Sequence, residues 1–157
     1  MRGDRAEDAE QRRRLPLARI AAADPALATV YRYWTQSRDD GLLPRRIRID
    51  IGKLAPAAGQ VEFLHVSGKH PDFRFRLHGS LVWLDRLRIA DDDYAAVAWL
   101  GSPLYQSVTR RASVAPGYRR LVLPLSEDGR RVSVLAVCTT ARPPDAGYPA
   151  AGDVASP

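Results

Sequence analysis

Between residues 73 and 79 apolar and polar side chains alternate. Phe73, Phe75 and Leu77 fall on one side and Arg74, Arg76 and His78 on the other, and Gly79 closes the run. A period of two sends successive side chains to opposite faces, so this stretch predicts a β-strand with one buried face. Arginine is costly in a core unless it is paired. The face bearing Arg74 and Arg76 is therefore expected to meet solvent, a partner or a carboxylate.

Upstream the period lengthens. Asp24-Pro25 has the form of a helix start, with Asp at the cap and Pro at the first helical position. Leu27, Val30, Tyr31 and Trp34 follow at helical spacing, and Gly41 and Pro44 stop the pattern, predicting a helix over 25–39. Residues 45–50 suggest an extended segment, with Ile47, Ile49 and Ile51 on one side. Asp50 can then cap a short helical turn through Leu54. Val61 to Val66 reads as a strand, joined to the Phe73 strand by a hairpin turn over Gly68 to Pro71.

Downstream, residues 81–89 fit neither period. One of Asp91, Asp92 and Asp93 is expected to cap a helix carrying Tyr94, Val97, Ala98 and Leu100, which Gly101-Ser102-Pro103 ends. Three strands follow, over 104–114, 118–125 and 131–139. Turns at Pro116-Gly117 and Ser126 to Gly129 make them an antiparallel meander. Residues 1–14 mix arginines with carboxylates and carry little apolar surface, which suggests a solvated helix or a disordered arm. The expected organisation is a charged, partly disordered arm over 1–23, one α+β domain over 24–140, and a disordered Pro/Gly/Ala tail over 141–157.

Four stretches carry a family resemblance: Tyr33-Trp34 with Arg38; Leu43-Pro44-Arg45 followed by Asp50; residues 72–79; and Leu123 to Gly129. In this order they resemble the PAS-like family of single-domain proteins of alphaproteobacteria, over about 27–137 of the chain. The resemblance implies a five-stranded antiparallel sheet in the order 2-1-5-4-3, with helices packed on one face and a regulatory role. Two departures stand out. Asp50-Ile51 replaces the family's Asp-Pro, and only about two dozen residues separate Gly79 from Tyr105, so the helical crossover that walls the ligand cavity is shortened.

Composition adds limits. A chain of 157 residues suits one domain with its own core. The net charge of +6 favours acidic partners, but the arginines are interleaved with carboxylates, which argues against nucleic acid as the partner. Cys138 is the only cysteine, so no intrachain disulfide forms. No apolar run approaches the length of a membrane span, and the N-terminus lacks the apolar core of a signal peptide; a cytoplasmic protein without a membrane partner is expected.

Candidate chemistry is sparse. His65, His70 and Asp72 could meet at a hairpin, but their irregular spacing suits a polar turn better than a metal site. His78 suits a hydrogen bond on the sheet face better than haem ligation, and Cys138 a small buried side chain. The photosensory cysteine motif of light-sensing relatives is missing. The nucleophile elbow, the phosphate-binding loop and the dinucleotide glycine pattern are missing too, so no enzyme is expected and no cofactor is indicated. Arg74 and Arg76, with Arg110 and Arg120 on later strands, could form a basic strip if those strands are neighbours. Trp83, Trp99 and Tyr105 read as core and crossover packing rather than as an aromatic cage. The candidate ligand- or partner-binding set is therefore Arg74, Arg76, His78, Trp83, Tyr105 and Arg120.

These features predict a non-catalytic regulatory protein that acts by protein–protein contact or self-association. The alternative is a sensor holding a small molecule, such as an anion, in a cavity between sheet and crossover helices.

Overall fold

The computed structural model describes residues 10–40, 42–54, 60–77, 88–110 and 117–140. Strands β1 (Glu10–Leu15), β2 (Gln60–Ser67), β3 (Arg74–Leu77), β4 (Leu104–Arg110), β5 (Tyr118–Ser126) and β6 (Val132–Thr139) form one open sheet. Its order is β1-β4-β5-β6-β2-β3, and every strand pair is antiparallel. The helices are few: α1 (Ile20–Ala23), α2 (Pro25–Gln36), α3 (Ile51–Leu54) and α4 (Arg88–Leu100). The chain is an α+β protein.

Alternation along the strands divides the core in two. On one face Phe63, Tyr105, Leu121, Leu123, Val134 and Ala136 pack under Leu27, Val30 and Trp34 of α2. On the other, Leu64, Phe75, Leu104, Val122 and Leu135 pack under Tyr94, Val97 and Ala98 of α4. Helices therefore cover both faces, not the single face that the family resemblance implied. Both faces of β5 are apolar, and all its residues from Arg120 to Ser126 are buried, as a strand in the middle of a two-sided sheet requires.

The expected five strands are six. Residues 10–15, read as part of a charged arm, form the edge strand β1, whose register runs from Glu10 opposite Arg110 to Leu15 opposite Tyr105. The sequence EQRRRL shows no apolar alternation, so the pairing rests on backbone hydrogen bonds and on Arg12, which forms an ion pair with Asp93 of α4. An edge strand tolerates such charge because its outer side faces water. Local geometry departs from expectation at three further points. Residues Arg46–Arg48 form a 3-10 turn rather than an extended run, leaving Ile47 89% exposed. Helix α4 begins at Arg88, ahead of the three aspartates expected to cap it. Asp24 precedes α2 but makes no side-chain cap, because its carboxylate is engaged elsewhere. Helix α2 itself ends at Gln36, three residues before the expected Asp39.

The hairpin between β2 and β3 turns through Gly68, at φ +83°, and a cis peptide at His70-Pro71. A Cβ on Gly68 would lie 2.3 Å from the Asp72 carbonyl oxygen, so only glycine fits this turn. Gly79, Trp83, His78, the 111–114 end of the expected long strand and the 141–157 tail lie outside the described residues.

Candidate functional site

The expected basic strip does not assemble. Strand β3 sits three positions away from β5, with β6 and β2 between them, a separation of roughly 14 Å at ordinary strand spacing. The faces differ as well. Phe75 and Leu77 pack with the α4-side core, which turns Arg74 and Arg76 to the opposite face by strand alternation. Arg120 lies on the α4 side, within reach of Tyr94. Arg74 is exposed and Arg76 half-buried opposite His65, while Arg120 is buried. His78 and Trp83, also expected at the site, lie outside the described residues.

Arg120 instead anchors an internal polar layer. Its Nε donates to Oε1 of Gln106 at 2.7 Å, and its Nη2 donates to the same oxygen. Its Nη1 donates to the Tyr94 hydroxyl at 3.4 Å, and the guanidinium lies 5.5 Å from that ring's centroid. Gln106 Nε2 donates in turn to Oδ2 of Asp93 at 3.3 Å, the carboxylate that also receives Arg12. Among the described residues no carboxylate touches Arg120 directly, so Gln106 carries the link from the buried cation to Asp93. This layer fastens β1, β4, β5 and α4 together; its groups already satisfy one another.

Tyr105 is likewise internal, on the α2 side. Its hydroxyl donates to Oδ2 of Asp24, and Nη1 of Arg119 donates to Oδ1 of the same carboxylate at 3.2 Å. Burial, and then the bond to Asp24, push the Tyr105 phenol far above its ordinary value. Tyr105 thus clamps the start of α2 to β4, and its hydroxyl is engaged by Asp24. Cys138 lies among apolar neighbours, and burial pushes its thiol up to about 12. At neutral pH it holds its proton and is not a nucleophile.

Open space gathers at one end of the sheet. A cleft of about 910 Å³ is framed by the loop after α2, the β2–β3 turn, the last turn of α4 and the β5–β6 turn. Phe73, Ala98 and Val132 form its apolar base, and Trp99 and His70 form a wall. The two rings stack with centroids 3.9 Å apart and planes at 19°. Trp99 is 58% exposed. It is thus surface rather than the crossover packing expected of it. Four cations, Arg38, Lys69, Arg130 and Arg131, also line the cleft, and among the described residues no carboxylate does.

The cleft draws on four separated segments, so no single motif in the sequence announces it. The only local signals are Lys69-His70 and Arg130-Arg131, each beside a turn glycine. Among the described residues no group of three or more His, Cys, Asp or Glu side chains is placed to hold a metal ion, and no helix is long and apolar enough to cross a membrane. Comparison with protein-family models, with curated proteins and with solved structures finds no match to this chain.

Proposed function

We propose that the chain is a non-catalytic, PAS-like regulatory protein that works by contact with a protein partner or a second copy of itself. The order of the strands supports the PAS-like part of this reading. Counted without β1, the sheet runs β4-β5-β6-β2-β3, which corresponds to the 3-4-5-1-2 arrangement implied by the resemblance, read from its other edge. Packing supports the non-catalytic part: the buried polar groups are engaged by other side chains of the fold, Arg120 by Gln106 and Tyr94, and Asp24 by Tyr105 and Arg119.

The observation that carries contact with a partner is the edge strand β3. It is short, its outer side meets no other described strand, and it displays Arg74 to solvent. Strand edges of this kind accept a further strand through main-chain hydrogen bonds, and an exposed guanidinium selects an acidic neighbour. Where α4 crosses the sheet, Tyr94, Val97 and Ala98 pack directly against Phe75, Val122 and Leu135, so side chains fill that part of the space a sensor's cavity would need.

Sedimentation across a wide concentration range, on wild type and Arg74→Glu, tests the reading. Wild type is expected to self-associate or to bind an acidic strand-forming peptide, and Arg74→Glu to lose that contact with its thermal midpoint unchanged. Wild type that stays monomeric and ignores the peptide would sink it.

A further inference from the structure

We infer that the cleft at the end of the sheet is a binding site for a small aromatic anion, an aryl carboxylate or aryl phosphate. The site is separate from the β3 edge, and the inference does not rest on the partner contact proposed there.

Its size comes first. About 910 Å³ lies within the usual range of ligand pockets, roughly 300–1,000 Å³. Its charge is one-signed: four cations and no described carboxylate. Like charges brought together repel, so a cluster of this kind favours an anion among them. Asp128 is the nearest carboxylate in sequence to Arg130 and Arg131, but it is not that anion. Its Oδ1 accepts from the backbone N–H of Arg130 at 2.8 Å and of Arg131 at 2.9 Å, and from Ser126 Oγ at 2.8 Å. All three bonds draw Oδ1 to its own turn, and Asp128 does not line the cleft.

The four cations are not equivalent. Arg131 Nη2 donates to the Gly68 carbonyl at 2.8 Å, and Arg38 Nε to the Leu42 carbonyl at 3.3 Å. These two brace the cleft's walls. Lys69 and Arg130 are exposed, and among the described residues their side chains have no partner. They are the pair left to receive an anionic head, by a point charge and a guanidinium fork respectively.

The wall explains the aromatic body. Trp99 is not a lone exposed apolar side chain: Leu42 and Leu100, also exposed, line the same cleft, and apolar side chains gathered in this way mark a binding surface. Trp99 is nonetheless held in place, because His70 stacks on it and its neighbour Ala98 is buried in the α4-side core. A fixed indole beside an apolar base of Phe73 and Val132 suits a flat ring, which gains contact area and loses little freedom on binding.

Calorimetric titration with 1-naphthyl phosphate, 1-naphthoate and neutral 1-naphthalenemethanol tests the assignment on the whole chain. Both anions are expected to bind, at least about tenfold more tightly than the alcohol, with affinity falling as salt rises. The double variant Lys69→Gln, Arg130→Gln should bring the anions down to the level of the alcohol. Trp99→Ala should weaken all three probes, and the double variant should not lower the thermal midpoint, because Lys69 and Arg130 are exposed. Failure of both anions to bind would overturn the inference, as would anion affinity unchanged in the double variant. Equal affinity for the alcohol and the anions in wild type would overturn it too, reducing the cleft to an apolar patch.

Discussion

Trp34 Nε1 donates a 2.9 Å hydrogen bond to the carbonyl of Pro124, fixing helix α2 to the C-terminal part of strand β5. The indole is 3% exposed and lies in the α2-side core. Trp34→Ala should therefore cost about 3–5 kcal/mol in urea unfolding, through lost burial and a cavity. Trp34→Phe fills most of that volume but strands the carbonyl, and a loss of about 1–3 kcal/mol is expected. An unchanged unfolding midpoint for Trp34→Ala would show that α2 does not depend on the sheet.

The buried guanidinium of Arg120 depends on Gln106 Oε1, which receives two of its donors. Gln106→Leu should destabilise by about 1.5–3 kcal/mol, since it leaves a buried cation short of an acceptor. Adding Arg120→Met should recover much of that loss, because an apolar pair of similar volume needs no partner. A double variant less stable than Gln106→Leu alone would show that Arg120 finds another acceptor.

Stability should fall in alkali. Burial raises the Cys138 thiol to about 12, and burial with the Asp24 bond raises Tyr105. In the unfolded chain the same groups ionise from about pH 8.5 and 10. Above those values the unfolded state holds fewer protons than the folded one, so the unfolding free energy declines as pH rises towards the folded pKa values. Below pH 8 the contribution is complete. Urea midpoints measured from neutral pH upward should show the decline, and Cys138→Ala should delay its onset. A flat profile through pH 10 would contradict the burial of Cys138. Cys138 should also resist a thiol reagent until the chain unfolds.

At the acid end, Asp128 should matter. The backbone N–H groups of Arg131 and Arg130, with Ser126 Oγ, hold its carboxyl well below the usual carboxylate range. A carboxylate depressed in this way stabilises the fold above its unfolded pKa, and loses that contribution as pH falls through the folded value. Asp128→Ala should lower the thermal midpoint at neutral pH and shrink the difference from wild type in strong acid. Equal midpoints at neutral pH would mean that the turn does not need it.

Arg74→Gln should change the unfolding free energy by no more than about 0–1 kcal/mol, since the side chain is exposed on an edge strand. A larger loss would mean that Arg74 is structural rather than available to a partner.

Periodicity made the local elements legible. The alternation at Phe73 to Leu77 corresponds to β3, and the helical spacing from Leu27 to Trp34 corresponds to α2. Each pattern is written in consecutive residues facing one core. What failed were features decided at long range. Strand β1 owes its place to β4 and to an ion pair between Arg12 and Asp93, 81 residues apart. Ile47 and Ile49 read as one face of a strand, yet only Ile49 is buried, because the chain coils at Arg46–Arg48. Asp24 looked like a helix cap because of Pro25, but Tyr105 and Arg119 reach its carboxylate first. The cleft was illegible for a related reason: Arg38, Lys69, Trp99 and Arg130 come from four segments that meet only in the folded chain.

Helix α4 is held near its middle by the Arg12–Asp93 ion pair and carries Trp99 in its last turn. Six residues of helix separate them, roughly 9 Å along the axis, with Val97 buried between. A helix of this length moves as a stiff rod, so pressure on the indole is transmitted as torque to the clasp on the outermost strand. Filling the cleft should then alter the hydrogen-exchange rates of the β1 amides, making the far margin of the sheet a readout of events at its end.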